Sequence, residues 1–405
     1  MSRVAVIGGG PAGMTAALAA AARGMGVTLF ERNEKLGKKL YISGKGRCNF
    51  TNSAEIEDFF RNIPRNPRFL YSALYGYTNL DAMRFLEDAG VPVKVERGGR
   101  VFPASDKSSD VTRAYERALL KAGVVTTLCA RVESIRREGE EFLVRVEERE
   151  FPFDKVILAT GGMSYPATGS AGDGYAFAKA FGHTVTKLAP SLVSFETVED
   201  WPPRLMGLSL RNVTLCAYDN RARKRYEELG EMLFTHYGVS GPLVLSASAA
   251  LADEPEGARL TVDLKPGLSE EELDKRLLRD FGANINRHFV NALDALLPQK
   301  LIPVAVALSG IPEDLPVNGI TREMRKSFCA LLKNLVMTVK RARPIEEAIV
   351  TRGGVSVKEI DPSTMESKLV KGLFFAGELM DVDGYTGGFN IQIACSTGAL
   401  AGRSV

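Results

Sequence analysis

The feature that most constrains this chain is the unit formed by its opening residues. Ser2 to Ile7 carries an unbroken apolar run, Val4-Ala5-Val6-Ile7, and reads as a short buried strand. Gly8-Gly9-Gly10-Pro11-Ala12-Gly13 follows, then the alanine-rich stretch Met14 to Arg23, a strong helix former. Val27 to Phe30 is a second apolar strand, ending on Glu31. This is a βαβ unit with G-x-G-x-x-G at its first turn. Gly8 makes the tight turn, Gly10 lets the backbone approach a pyrophosphate, and Gly13 lets helix and strand pack closely. The helix start offers unpaired N–H groups and partial positive charge to phosphates. Glu31, 18 residues past Gly13, is placed to accept from adenosine ribose hydroxyls. A dinucleotide is expected; this unit alone leaves NAD or FAD open.

Composition narrows the rest. A chain of 405 residues implies two or three domains. A net charge of +3 is too small to argue for nucleic acid or an anionic membrane, so neither is expected as a partner. No apolar run reaches spanning length, and the N-terminus enters a strand directly, without a leader. The cysteines Cys48, Cys129, Cys216, Cys329 and Cys395 are scattered, with no C-x-x-C pair. That pattern points to reduced thiols in a cytoplasm and away from a metal site or disulfide framework.

Gly37 to Asn52 lacks helical or strand periodicity and reads as a long functional loop. In it Ser43, Gly44 and Gly46 would supply backbone N–H groups, and Lys39, Lys45 and Arg47 charge, for phosphate or a flavin edge; a solvated basic loop is the alternative. Disulfide reductases carry C-x4-C in about this place, but position 53 is Ser53, so Cys48 reads as a packed small residue beside the cofactor. Residues 55–90 look helical, Val93 to Phe102 reads as a hairpin, and 132–146 as an antiparallel excursion. Asp154 to Ala159 returns to the buried sheet and ends in Thr160-Gly161-Gly162, the layout of FAD domains of the glutathione-reductase type. The glycine-rich turn 169–174 either holds the dinucleotide or simply turns the chain.

From Pro190 short strands suggest a β layer or barrel, with Phe234 to Pro242 as a polar, aromatic loop. Ser269-Glu270-Glu271-Glu272 is a capping box opening an amphipathic helix through Leu273, Leu277, Phe281, Ile285 and Phe289. Further helices are expected at 301–308 and 322–335. Leu373 to Ala376 is a buried strand ending at Gly377-Glu378, and Phe389 to Ala401 is a terminal helix. That helix, starting near Gly387-Gly388, would point N–H groups at the flavin N1–C2 carbonyl edge and stabilise negative charge there on reduction. Glu378 would accept from ribityl hydroxyls. Asp381 and Asp383 either form the turn or serve the site.

The stretches IGGGPAG (7–13), GKKLYISGKGRCNFTN (37–52), RVFPASDKSSDV (100–111), ATGGMSYPATGSAGDGY (159–175), FTHYGVSGP (234–242), TRGGVSVKEI (351–360) and GLFFAGELMDVDGYTGGFNIQIA (372–394) together resemble the BaiN/RdsA family of bacterial flavoproteins, also described as aminoacetone-oxidase-like. The resemblance covers essentially the whole chain. It implies an α/β fold: a Rossmann-like FAD-binding domain of glutathione-reductase type (1–190 and 351–405), a β-barrel-like middle domain (191–268 and 336–350) and a helical domain (269–335). It implies non-covalent FAD and places Pro11, Ala12, Arg32, Asn49, Phe389 and Asn390 with the cofactor-binding residues above. Members have been assigned to reduction of unsaturated 3-oxo bile acids and to oxidation of aminoacetone.

Hydride transfer through flavin N5 needs no side-chain nucleophile, whereas enone reduction needs a proton donor near the α-carbon. His236, Tyr237, Tyr165 and Tyr385 are the candidates, with a structural role as the alternative for His236. A second G-x-G-x-x-G unit is missing, so NAD(P)H would dock transiently or the substrate would supply the electrons. The expected activity is an NAD(P)H-dependent reductase of an unsaturated or 3-oxo small molecule. The alternatives are an FAD oxidase of a small amine and an RNA-associated or regulatory flavoprotein, the last disfavoured by weak charge and the lack of an aromatic–basic tract.

Overall fold

The computed structural model describes residues 2–251, 254–283 and 285–405. Its contacts form two units: residues up to Ser191 with Pro344–Val405, and Leu192–Arg343. The first unit is built on a five-stranded sheet in the order Leu373–Phe375, Lys155–Leu158, Arg3–Ile7, Gly26–Phe30, Val125–Thr127. Every neighbouring pair is parallel, and Ile7 pairs with both Leu158 and Phe30. Parallel strands covered on both faces need continuous apolar runs, and Val4 to Ile7 are all buried. The edge strand Leu373–Phe375 joins the C-terminal part of the chain to the N-terminal sheet.

The terminal helix Phe389–Ser404 packs on the first helix, Pro11–Ala22. A Cβ on Gly398 would collide with the Ala12 carbonyl, and one on Gly402 with the Ala16 carbonyl. The step of four on both sides means the helices run in the same direction with their backbones touching. The terminal helix starts eight residues before the level of Pro11, so its N-terminus projects about 12 Å past the other at 1.5 Å per residue.

The second unit holds a closed six-stranded barrel in the order Phe195–Thr197, Gly238–Ser240, Lys224–Thr235, Ser209–Tyr218, Arg259–Asp263, Leu335–Ala342. The helices Glu270–Gly282, Ile302–Ser309 and Arg322–Lys333 share one apolar core with it, in which Phe289 packs edge-on against Phe281 and Phe328. The capping box forms: Ser269 Oγ accepts from the Glu272 N–H, and Glu272 Oε2 from the Ser269 N–H.

Several local expectations change. Residues 55–90 are broken into Ile56–Arg61, Pro67–Leu70, Tyr71–Gly76 and Asn79–Asp88, because Pro64 and Pro67 cannot continue a helix and Asn66 turns at φ +52°. Gly37 to Asn52 contains a short helix, Lys38–Ile42, a 3-10 turn, Ser43–Gly46, and a strand, Thr51–Asn52. Residues 132–153 form three strands rather than two. Phe234 to Pro242 is mostly barrel wall, with His236 and Tyr237 at the hairpin tip. The helix opened by Ser269 ends at Gly282, leaving Ile285 exposed.

Candidate functional site

The first helix starts on Gly10 with no side chain capping it, and Pro11 sits in its first turn. Gly8, at φ +109°, turns the chain there, and a Cβ on it would lie 2.5 Å from the Ala159 carbonyl oxygen. A Cβ on Gly13 would collide with the Gly8 carbonyl. Around Gly10 the situation reverses: a Cβ would meet no atom within 4 Å, so open space faces the free N–H groups. Ala12 is buried beneath the turn.

Glu31 is buried at the tip of the second strand. Its Oε2 accepts from the Gly9 N–H at 2.7 Å, and its Oε1 from the Asn33 backbone and side-chain amides at 2.8 and 2.7 Å. These bonds fix its position beside the glycine turn. Arg32 pairs with Asp173 at 2.9 Å, and Asn33 Nδ2 donates to the Thr168 carbonyl at 3.0 Å. The glycine-rich turn 169–174 therefore packs against the Glu31 end of the site. Thr160 Oγ1, at the end of the strand from Lys155, is buried without a hydrogen-bond partner, and Gly161 follows at φ +73°.

Lys39 and Glu378, 339 residues apart, form an ion pair at 2.9 Å. Glu378 also accepts from Ser164 Oγ at 3.0 Å and the Thr351 N–H at 2.8 Å, while Lys39 donates to Ser164 Oγ at 2.7 Å. Both charges are thus engaged with one another. Ser164 and Thr351 are members of this cluster that sequence reasoning missed; each lies in a quoted motif, and only long-range pairing joins them.

The 43–52 segment closes on the terminal helix. Ser43 Oγ donates to the Leu40 carbonyl, and Gly44 and Lys45 are consecutive left-handed residues ahead of Gly46. Arg47, expected to present charge, instead pairs with Glu96 at 2.8 Å and lies over the Phe102 ring. Cys48 is fully buried, and burial pushes its thiol up to about 12, which makes it inert packing. Asn49, oriented by its neighbours, accepts from the Gly388 N–H at 3.0 Å and donates to the Thr51 carbonyl at 3.1 Å. Asn52 Nδ2 donates to the Gly387 carbonyl at 2.9 Å. Gly388, at φ +99°, lies so close to Thr51 that a Cβ would collide with it.

The terminal helix therefore begins on a turn clamped by the loop, with no side chain capping it. Asn390 braces that turn, accepting from the Gly384 N–H and donating to its carbonyl, both at 2.8 Å. Phe389 packs edge-on against Phe59. Gly377 donates its N–H to Thr397 and abuts Ala12. Arg65 pairs with Asp381, and Asp383 is fully buried, with Oδ2 accepting from Ser191 at 2.7 Å and Oδ1 unpartnered. Burial raises the Asp383 carboxyl above its ordinary value.

Of the proton-donor candidates, Tyr165 (φ +51°) and Tyr385 are half-buried in the first unit. His236 and Tyr237 belong to the second, where their rings meet edge-on and Arg343 lies over Tyr237.

A parallel sheet, a glycine turn opening onto free space, an acidic residue closing the next strand and a second staggered helix start define a Rossmann-like FAD-binding oxidoreductase fold. A model of the HI0933-like protein Rossmann domain matches residues 2–404, and the chain belongs to that family, the BaiN/RdsA type of FAD-dependent oxidoreductases. It is similar to the 3-dehydro-bile acid delta(4,6)-reductase of Clostridium scindens, at 32% identity over 100% of this chain and 99% of that protein. It is also similar to the ribosomal RNA dihydrouridine synthase of Haemophilus influenzae, at 31% identity over 99% of this chain and 97% of that one. Among solved structures, its fold matches the 3-ketosteroid-delta4-(5alpha)-dehydrogenase of Rhodococcus jostii RHA1, with TM-score 0.52, 16% identity and coverage of 100% and 96%.

Proposed function

We propose that this enzyme reduces a carbon–carbon double bond conjugated to a carbonyl, using FAD and a reduced nicotinamide dinucleotide. The site fits FAD: two uncapped, parallel helix starts staggered by about 12 Å along their axes offer one cradle for a diphosphate and another for an electron-rich ring edge. Gly8, Gly10, Pro11, Ala12 and Gly13 hold the diphosphate. Glu31 takes the adenosine ribose and Arg32 flanks it. Thr160 and Gly161 line the middle. Asn49, Gly387, Gly388 and Phe389 form the ring end, and Lys39 with Glu378 lies between. Bound FAD supplies a carrier that accepts a hydride from the nicotinamide and passes it to carbon.

The observation that carries the bond assignment is chemical agreement between two differently named relatives. A delta(4,6)-reductase of a 3-dehydro bile acid and a dihydrouridine synthase both saturate a double bond conjugated to a carbonyl. In that reaction a hydride adds to the β-carbon and a proton to the α-carbon. The nicotinamide leaves oxidised, and the product gains two hydrogens. The chain's part is to orient the carbonyl, exclude water and hold the α-proton; Tyr165 and Tyr385 are the candidate donors on the first unit.

Anaerobic mixing of the holoprotein with NADH and NADPH tests this. Bleaching of the flavin band by either, followed by recolouring with a conjugated 3-oxo steroid or a uridine-containing RNA, is expected. No bleaching by either nicotinamide, with peroxide formed from a small amine in air, would turn the assignment to an oxidase.

A further inference from the structure

The far end of the first helix, Pro11–Ala22, from the Gly10 turn lines a cavity of about 410 Å³. That volume falls within the about 300–1,000 Å³ of small-molecule sites. Leu18, Ala19 and Ala22 of this helix, Ala399 of the terminal helix and the Phe85 ring give it apolar walls. Thr15 and Tyr115 stand among them, but their hydroxyls bond to one another at 2.9 Å, with Cys395 Sγ 3.5 Å from the Tyr115 oxygen.

Three polar groups remain for a ligand. Arg23 and Arg403 line the cavity and are exposed, so they stand at its rim. Arg23 donates to the Arg403 carbonyl and Arg403 to the Gly76 carbonyl, each through one nitrogen. A guanidinium carries five N–H donors, so most of theirs stay open. Among the described residues neither arginine pairs with a carboxylate.

The third group is the Tyr77 hydroxyl, which also lines the cavity and has no hydrogen-bond partner among the described residues. Burial is the largest influence on its phenol and raises it, while the nearby Arg403 charge opposes the rise. Asp81, which acts on the same phenol, is itself held by the Thr78 N–H at 2.8 Å and by Arg84 at 3.7 Å. The Tyr77 carbonyl accepts from Gln392 Nε2 at 3.0 Å and Ser396 Oγ at 2.7 Å, which fixes the residue against the terminal helix. Apolar walls favour a hydrocarbon body, and two cations beside an unused phenol donor favour an anionic head with two acceptor oxygens.

We propose that this cavity binds a small carboxylate with an apolar body, its chain against Leu18, Ala19, Phe85 and Ala399 and its head held by Arg23, Arg403 and the Tyr77 hydroxyl. The site lies away from the glycine turn, so it stands independently of the proposed reductase.

The test is isothermal titration of the full-length, flavin-containing protein with decanoate, and separately with decylammonium and acetate. One saturable site per chain is expected for decanoate, with neither of the others binding measurably. Tyr77→Phe removes an atom that no protein group uses, so it should melt like wild type and bind decanoate about fivefold more weakly, the loss of one hydrogen bond to a charged group. Ala22 is exposed at the end of its helix, and Ala22→Trp should cover the mouth and abolish binding while flavin content stays at the wild-type level. No saturable binding of decanoate, equally tight binding of decylammonium, or unchanged affinity in both variants overturns the site. So does binding that Gly10→Val abolishes and Ala22→Trp keeps, because decanoate would then occupy the flavin cradle.

Discussion

Gly398 lies against Ala12 so closely that any side chain at 398 would strike the Ala12 carbonyl, and Gly402, one turn on, repeats the contact at Ala16. This contact sets how far the terminal helix start projects beyond the glycine turn, and hence the length of molecule that both starts would hold in the proposed FAD site. Gly398→Val should overpack it, costing about 1–3 kcal/mol, and lower flavin content together with the melting temperature. A variant melting like wild type with full flavin would show that the contact does not set the site.

Gly10→Val should behave differently. Its Cβ meets no atom, so the apoprotein should melt within about 0.5 kcal/mol of wild type while FAD affinity falls at least tenfold. Glu31→Ala should also lose FAD, but with lower stability, because the Gly9 and Asn33 amides lose their acceptor. Parallel melts and FAD titrations of the two apoproteins check the contrast.

Much of this was legible in the sequence, for identifiable reasons. The opening βαβ unit and the capping box at Ser269 are local patterns with one physical solution each. The 55–90 region misleads because its residue types favour helix, while Pro64, Asn66 and Pro67 break it. The barrel strand through Phe234 reads as a loop because polar His236 and Tyr237 stand at its tip. The Lys39–Glu378–Ser164–Thr351 cluster joins four distant segments, and no local pattern encodes such pairing. Two of the similar proteins are named ribosomal RNA dihydrouridine synthases, so the expectation of no nucleic-acid partner is not borne out.

Asp383→Asn should stabilise the protein in a pH-dependent way. Burial raises the native carboxyl above its unfolded value of about 3.9, so the native state holds the proton more tightly. Stability from the protonated form is complete below that unfolded value and is lost as pH rises to the native one. The amide keeps the Ser191 contact without a charge to bury. The variant should therefore melt higher than wild type at pH 8 and alike at pH 4. The reverse ordering would contradict a desolvated carboxyl.

Cysteine reactivity should follow burial. Cys129 is exposed, whereas Cys48 and Cys395 are buried, with thiols pushed up to about 12 and about 11. Iodoacetamide at pH 8 should label Cys129 first and leave Cys48 untouched in the folded protein, as read by peptide mass. Rapid labelling of Cys48, with loss of turnover in Cys48→Ala, would give that thiol a chemical role.

The most direct measurement is titration of the full-length apoprotein with FAD, followed by the flavin spectrum after gel filtration, for wild type, Gly10→Val and Gly388→Val. The account predicts one retained FAD per chain for wild type and little for either variant, because one lies at each end of the same ligand. A wild-type protein that folds yet stays colourless in excess FAD, or full retention by both variants, would contradict it.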